Sequence, residues 1–182
     1  MLNQSLPSSS ESLPDQFLKQ NPVLSVQLLA DLDQDLDQVR TLLYPALNAQ
    51  HRCQAAEFYI QAVTTERTAF LITNLSHSRG GLITETASNW LIGRNSTCDI
   101  SIRHMSISRF HAAVGFTATD GFYITDLNSA NGSWVNRRRL DPMQRMRLRD
   151  GDLIRIASYR IEFFWSGQDC LDRGNQEAET WG

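Results

Sequence analysis

The chain is poor in several features that would announce a function. Its 182 residues contain three cysteines, Cys53, Cys98 and Cys170. That odd, scattered set argues for free thiols in a reducing cytosol and against a disulfide framework. No apolar run approaches the about 18 residues of a membrane span. The opening stretch MLNQSLPSSSESLPDQF lacks the basic start and apolar centre of a signal peptide. These absences point to a cytoplasmic protein with no membrane partner. No His or Cys pair has metal-ligand spacing, since a loop separates His104 from His111 and Cys98 stands alone. No metal site and no cofactor is expected.

Lysine is nearly absent, and the basic charge is arginine in one region. Residues 67–166 hold thirteen arginines and no lysine against eight acids, a balance of +5. Residues 1–66 carry Lys19, Arg40 and Arg52 against eight acids, and the tail is acidic again, so the whole chain has a net charge of −3. A basic module between acidic arms suits an acidic or phosphorylated ligand.

What the basic region contains is a set of three short polar signatures between strand-like runs. Gly93-Arg94 follows Trp90-Leu91-Ile92. Ser108-Arg109-Phe110-His111 comes next. Asn131-Gly132 then stands between Ile124-Thr125-Asp126-Leu127 and Ser133-Trp134-Val135. Each falls where a strand should end or turn. They supply two guanidinium groups, a hydroxyl and an amide, with no acid among them. That inventory binds anions and lacks the nucleophile and base of a hydrolase. No catalytic residue is assigned.

The ordered set G-R, S-x-x-H and N-G resembles the forkhead-associated (FHA) family. Cys98-Asp99-Ile100, His111-Ala112, Trp134-Val135-Asn136 and the late run Leu148-Arg149-Asp150-Gly151-Asp152-Leu153-Ile154-Arg155-Ile156 agree with it. The resemblance covers residues 67–166 and implies a β-sandwich that reads phosphothreonine through loops at one end. It implies that Arg94 and Ser108 bind the phosphate and Arg109 adds a second cation. Asn131 would hold the ligand's backbone, and Gly93, His111 and Gly132 would shape the loops. Two positions depart from the family. Ala130 stands where a Ser or Thr often precedes the asparagine, and Ala157 replaces the glycine after Ile156. Arg137-Arg138-Arg139 carries no interleaved aromatics, so nucleic acid is a poor fit. Cys98 beside Arg94 is a candidate for a lowered thiol pKa or, more simply, a small packed residue.

The fold expectation is therefore mainly β, an antiparallel sandwich with an α-helical N-terminal extension. Strands are expected at 69–73, 82–84, 90–92, 100–102, 112–116, 122–125, 133–135, 153–156 and 159–164, with turns at Gly80-Gly81 and Asp120-Gly121. The segments are a disordered leader (1–22), a helical extension (23–66), the sandwich (67–166) and a flexible tail (167–182). In the extension, Leu29, Leu36 and Leu43 alternate with Leu32, Val39 and Ala46 in a short heptad seam that begins after Pro22. Asp31, Asp33, Asp35 and Asp37 mark its wet side. Pro45 should kink or restart the helix, and a second helix is expected over 45–63.

Together these readings describe a phosphothreonine-peptide-binding signalling adaptor without catalytic activity. Its partner would be a Thr-phosphorylated protein, either a kinase or a kinase substrate. The alternative is a phosphorylation-independent scaffold or homo-oligomer, assembled through residues 23–63. Thr64 and Thr65, in what reads as an exposed linker, are candidate sites for a phosphate that the same pocket would capture.

Overall fold

The computed structural model describes residues 11–75, 82–84 and 86–167. Four helices come first: α1 (Leu13–Gln20), α2 (Pro22–Asp31), α3 (Leu36–Leu47) and α4 (Ala49–Arg52). The strands are β1 (Phe58–Thr64), β2 (Ala69–Thr73), β3 (Leu82–Ile83), β4 (Asn89–Gly93), β5 (Ile100–Ser101) and β6 (Ala112–Thr117). They continue with β7 (Gly121–Asp126), β8 (Ser133–Val135), β9 (Arg138–Arg139), β10 (Arg145–Arg147), β11 (Leu153–Ile156) and β12 (Tyr159–Gly167). One sheet has the order β3-β2-β1-β12-β11-β8-β9, the other β10-β7-β6-β4-β5. Most pairs are antiparallel, but β1 runs parallel to β12 and β4 parallel to β5, so both sheets are mixed.

The core between the sheets is built by the inward halves of alternating strands. Ile60, Leu71, Trp90, Ile92, Val114, Phe122, Ile154, Ile161 and Phe163 meet there. A second apolar cluster lies on the outer face of the larger sheet. Tyr59, Val63, Phe70, Ile72 and Phe164 look outward from β1, β2 and β12, and Leu28, Val39, Leu43 and Ala46 cover them. The chain thus has three layers over part of its width, two sheets and a helical cover.

The N-terminal third differs from its sequence reading in four ways. First, α1 lies inside the stretch expected to be disordered. Ser12 caps it, accepting from the Asp15 N–H at 3.4 Å, and Arg40 on α3 reaches back to Asp15 at 2.9 Å. The start of the leader, residues 1–10, lies outside the described residues, as do the Gly80-Gly81 turn and the tail beyond Gly167.

Second, the heptad seam is interrupted. Asp33 and Gln34 take left-handed torsions, φ 51° and 62°, between α2 and α3. Asp35 then caps α3, accepting from the N–H groups of Asp37 at 2.9 Å and Gln38 at 3.1 Å. Leu32, Val39, Leu43 and Ala46 of that seam pack into the cluster on the sheet, Leu36 is exposed, and α3 continues through Pro45 without a restart.

Third, the helix expected over 45–63 ends early, and β1 takes its second half. Phe58-Tyr59-Ile60-Gln61-Ala62-Val63-Thr64 is buried at six of its seven positions, because the core covers one face and the helices cover the other. A strand buried on both faces shows no polar alternation and cannot be told from a helix by periodicity.

Fourth, Thr64 and Thr65 are buried, not exposed. The Thr64 hydroxyl accepts from Trp165 Nε1 at 2.9 Å, and the Thr65 hydroxyl donates to Asp31. Both lie beside Gly167, at the far end of β12 from Tyr159.

Glu162 fastens the helical layer to the sheet. Its Oε1 accepts the backbone N–H groups of Gln54, Ala55 and Ala56, the outer two at 2.8 Å. Arg52 stacks 4.2 Å above the Phe164 ring and pairs with Asp150 at 2.9 Å. Replacing Glu162 by alanine orphans three donors in the 54–56 turn. We expect it to lower unfolding stability by about 3 kcal/mol, at about 1 kcal/mol or more per unsatisfied group, read from the urea midpoint.

Candidate functional site

The three signatures meet at one end of the sandwich. Gly93 ends β4, Ser108 and Arg109 lie in the connection from β5 to β6, and Asn131 and Gly132 lie between β7 and β8. Backbone bonds tie the first two: Arg94 N–H donates to Ser108 O at 2.9 Å and Asn95 N–H to Arg109 O at 3.1 Å. Only glycine permits this approach, since a Cβ on Gly93 would stand 2.2 Å from the Arg109 carbonyl oxygen. Side chains tie the second to the third. Ser108 Oγ accepts from Ala130 N–H at 3.0 Å, and Asn131 Nδ2 donates to Ser106 O at 2.7 Å.

His111 is the joint of this assembly. The ring is fully buried. Its Nδ1 accepts from Ser108 N–H at 3.1 Å, so the proton resides on Nε2, which donates to Gly132 O at 3.1 Å. Burial pushes the His111 pKa below the ordinary 6.5, against the raising effects of the Gly132 bond and of Asp126. With both nitrogens engaged, the ring braces loops and is not placed to abstract a proton.

Asp126 does for the third loop what His111 does between loops, and the sequence reading passed over it. Its carboxylate accepts from Ser129 N–H at 2.8 Å, Ser129 Oγ at 2.7 Å and Ser133 Oγ at 2.6 Å. Ser129 Oγ in turn accepts from Gly132 N–H at 2.9 Å. Burial raises the carboxyl pKa, but the hydrogen bonds from Ser133 and Ser129 outweigh it and leave it below its ordinary value. The available signal was an aspartate followed three residues later by serine, a side-chain-to-backbone turn. Gly132 itself sits at φ +78°, which glycine adopts freely.

The remaining expected residues fall around this frame. Arg94 and Arg109 are exposed, and neither forms an ion pair among the described residues. Cys98 is buried, with Sγ donating to Arg109 O at 3.4 Å, and burial pushes its thiol pKa up. It is therefore a packed residue and not an activated thiol. Ala157, in place of the family glycine, holds a left-handed φ of 52° and donates its N–H to Gly132 O at 3.1 Å.

Residues 90–157 match the family model described as the FHA domain. This chain carries an FHA domain. Among curated relatives, the FHA domain-containing protein PS1 of Arabidopsis thaliana is 39% identical over 78 residues, which cover 40% of this chain and 5% of the relative. Kanadaptin of Homo sapiens is 31% identical over 122 residues, 59% of this chain and 16% of that protein. The chain thus spans a small part of the length of these relatives. Among solved structures, the FHA domain of an Arabidopsis thaliana hypothetical protein is 31% identical, with a TM-score of 0.42. That match covers 48% of this chain and 75% of the other. No described helix is long and apolar enough to cross a membrane.

The two depressed pKa values fix the sign of a pH effect. For both groups the unfolded chain binds more protons than the native one as pH falls, so each contributes stability at neutral pH that acid removes. His111 acts first, below its ordinary value of 6.5, and Asp126 follows below 3.8. Unfolding stability should therefore decline as pH falls below about 6.5. In a His111→Gln variant the decline in that first window should be absent, as measured by denaturant titration at a series of pH values.

Proposed function

We propose that this FHA domain binds phosphothreonine-containing segments of partner proteins, as a recognition module in a signalling adaptor. The observation that carries the reading is the exposed Arg94, without an ion pair among the described residues, on a loop whose backbone is bonded to Ser108, with Ser108 and Asn131 already fixed in place. Ser108 Oγ is held as an acceptor by Ala130 N–H, which leaves its own proton to donate. Asn131 is held through Nδ2, which leaves its Oδ1 for a ligand backbone N–H. A phosphate brings about −1.5 to −2 charges and three acceptor oxygens to such a set. Arg94 supplies the charge-assisted contact, Ser108 a hydrogen bond, and Arg109 a second cation. Ala130 takes part through its backbone, so the missing hydroxyl leaves the loop closed and only removes one possible phosphate contact.

The alternative, assembly through the helical extension, receives less support. Of the seam that would drive it, Leu32, Val39, Leu43 and Ala46 already pack on the outer sheet, and Leu36 is left exposed. Capture of a phosphate on Thr64 or Thr65 by the same chain has no support in the geometry. Both side chains are buried, and β12 separates them from the loops by about 26 Å at about 3.3 Å per residue.

Binding of matched phosphothreonine and unmodified peptides, followed by calorimetry or fluorescence anisotropy, tests the reading. The phosphorylated form should bind and the unmodified form should not. Arg94→Ala should weaken binding by about 2–5 kcal/mol and Ser108→Ala by about 1–3 kcal/mol. Equal binding of the two peptides, with Arg94→Ala without effect, would refute it.

Preference for phosphothreonine over phosphoserine is a separate expectation. One buried methyl group is worth about 0.8 kcal/mol, or about fourfold in affinity. Matched peptides of equal affinity would contradict it.

A further inference from the structure

The outer face of the larger sheet is divided. Over β2, β1 and the Glu162–Phe164 part of β12 the helices and the 54–56 turn cover it, while Arg160 on β12, Arg155 on β11 and Arg139 on β9 are exposed and Trp134 on β8 is half-buried. This second part carries a row of residues in cross-strand register. Arg139 on β9 faces Trp134 on β8, Trp134 faces Arg155 on β11, and Arg155 faces Arg160 on β12. Three strand spacings of about 4.8 Å make this row about 14 Å long.

The row is ordered and unneutralised. Arg155 stacks over the Trp134 indole at 3.4 Å and Arg139 at 5.6 Å. All three arginines are exposed, and none forms an ion pair among the described residues. Like charges in neighbouring positions repel, and three of them in one row with no carboxylate between them suit an anionic ligand.

The row also begins at the candidate site. A Cβ on Gly132 would stand 3.0 Å from the Trp134 ring and 3.2 Å from Arg139 Nε. Gly132 adjoins Asn131, so the row leads directly away from the peptide-holding loop.

We propose that the Arg139–Trp134–Arg155–Arg160 row is a second recognition surface, which binds an acidic stretch of the same phosphorylated partner, beside its phosphothreonine. The proposal rests on the phosphothreonine reading and adds a sequence preference to it. A segment of about four extended residues, at about 3.3 Å each, matches the row. Aspartate, glutamate or a further phosphate would meet the guanidinium groups. An extended peptide fits better than nucleic acid. The indole already carries guanidinium groups and is not an open platform for stacking bases, which single-strand binders need.

The test uses the whole chain and four peptides around one phosphothreonine: unextended, extended by four neutral residues, and extended by four acidic residues on either side. One acidic extension should bind at least about tenfold more tightly than the neutral one at 0.15 M salt, where charges within about 8 Å are felt. That gain should vanish in Arg155→Gln/Arg160→Gln and shrink in Arg139→Gln, while the unextended peptide binds all variants as it binds the native chain. Equal affinity of acidic and neutral extensions, or a gain that survives the double substitution, overturns the row. So does a single-stranded oligonucleotide that binds more tightly than the acidic peptide and loses affinity in the same variants. Failure of the phosphothreonine reading appears separately, as an unextended phosphopeptide that binds no better than its unmodified form.

Discussion

The His111 ring, held at Ser108 N–H by one nitrogen and at Gly132 O by the other, is the buried link between two loops that two further, more exposed hydrogen bonds also join. The placement of Ser108 beside the Asn131 loop depends on that link. Ser108 reaches Ala130, and Asn131 reaches Ser106, because the two loops are already held side by side. The imidazole must be neutral to accept and donate at once, and burial keeps it so. Preorganisation of this kind matters for a small anion site. Donors fixed before the ligand arrives lose little freedom when it binds.

The same economy of shape governs the rest of the chain. A two-sheet sandwich leaves two outer faces, and here half of one is apolar. The helices cover that half, with Glu162 and Arg52 locking the connection between them and β1. The other half is polar, aromatic and cationic, and stays in water. One sheet face is thus part of a core on one side and a basic surface on the other, and β12 is the strand where the character changes, from Phe164 to Arg160.

Most of the sandwich was legible because its strands alternate and its turns carry glycine, asparagine or aspartate. Trp90-Leu91-Ile92, Ala112–Phe116 and Phe122–Thr125 fall on β4, β6 and β7, and Asp120-Gly121 turns where Gly121 takes φ +74°. The meeting of Gly93-Arg94, Ser108–His111 and Asn131-Gly132 was legible because they form an ordered set of loop signatures. β1 was hidden because burial on both faces erases the alternation that marks a strand. The break at Asp33-Gln34 was hidden because the apolar spacing runs straight through it. The aromatic partner of Arg139 was hidden because the hairpin, and not the sequence, brings Trp134 opposite. Asp126 carried a local signal in its spacing to Ser129, but its bond to Ser133 was hidden because that contact forms only once the loop is closed.

The parallel pairing of β1 with β12 has a mechanical consequence. The strands lie side by side in register from Phe58 opposite Ile161 to Thr64 opposite Gly167. A pull on the chain before Phe58, opposed by a pull after Gly167, acts along both strands in opposite directions. It therefore loads their inter-strand hydrogen bonds together, in shear, instead of opening them one at a time like a zipper. The helical layer can be stripped from the sheet while this clamp holds. The candidate-site loops, tied to the segment before β12 through Ala157 and Gly132, would keep their shape under tension that has already unravelled everything upstream.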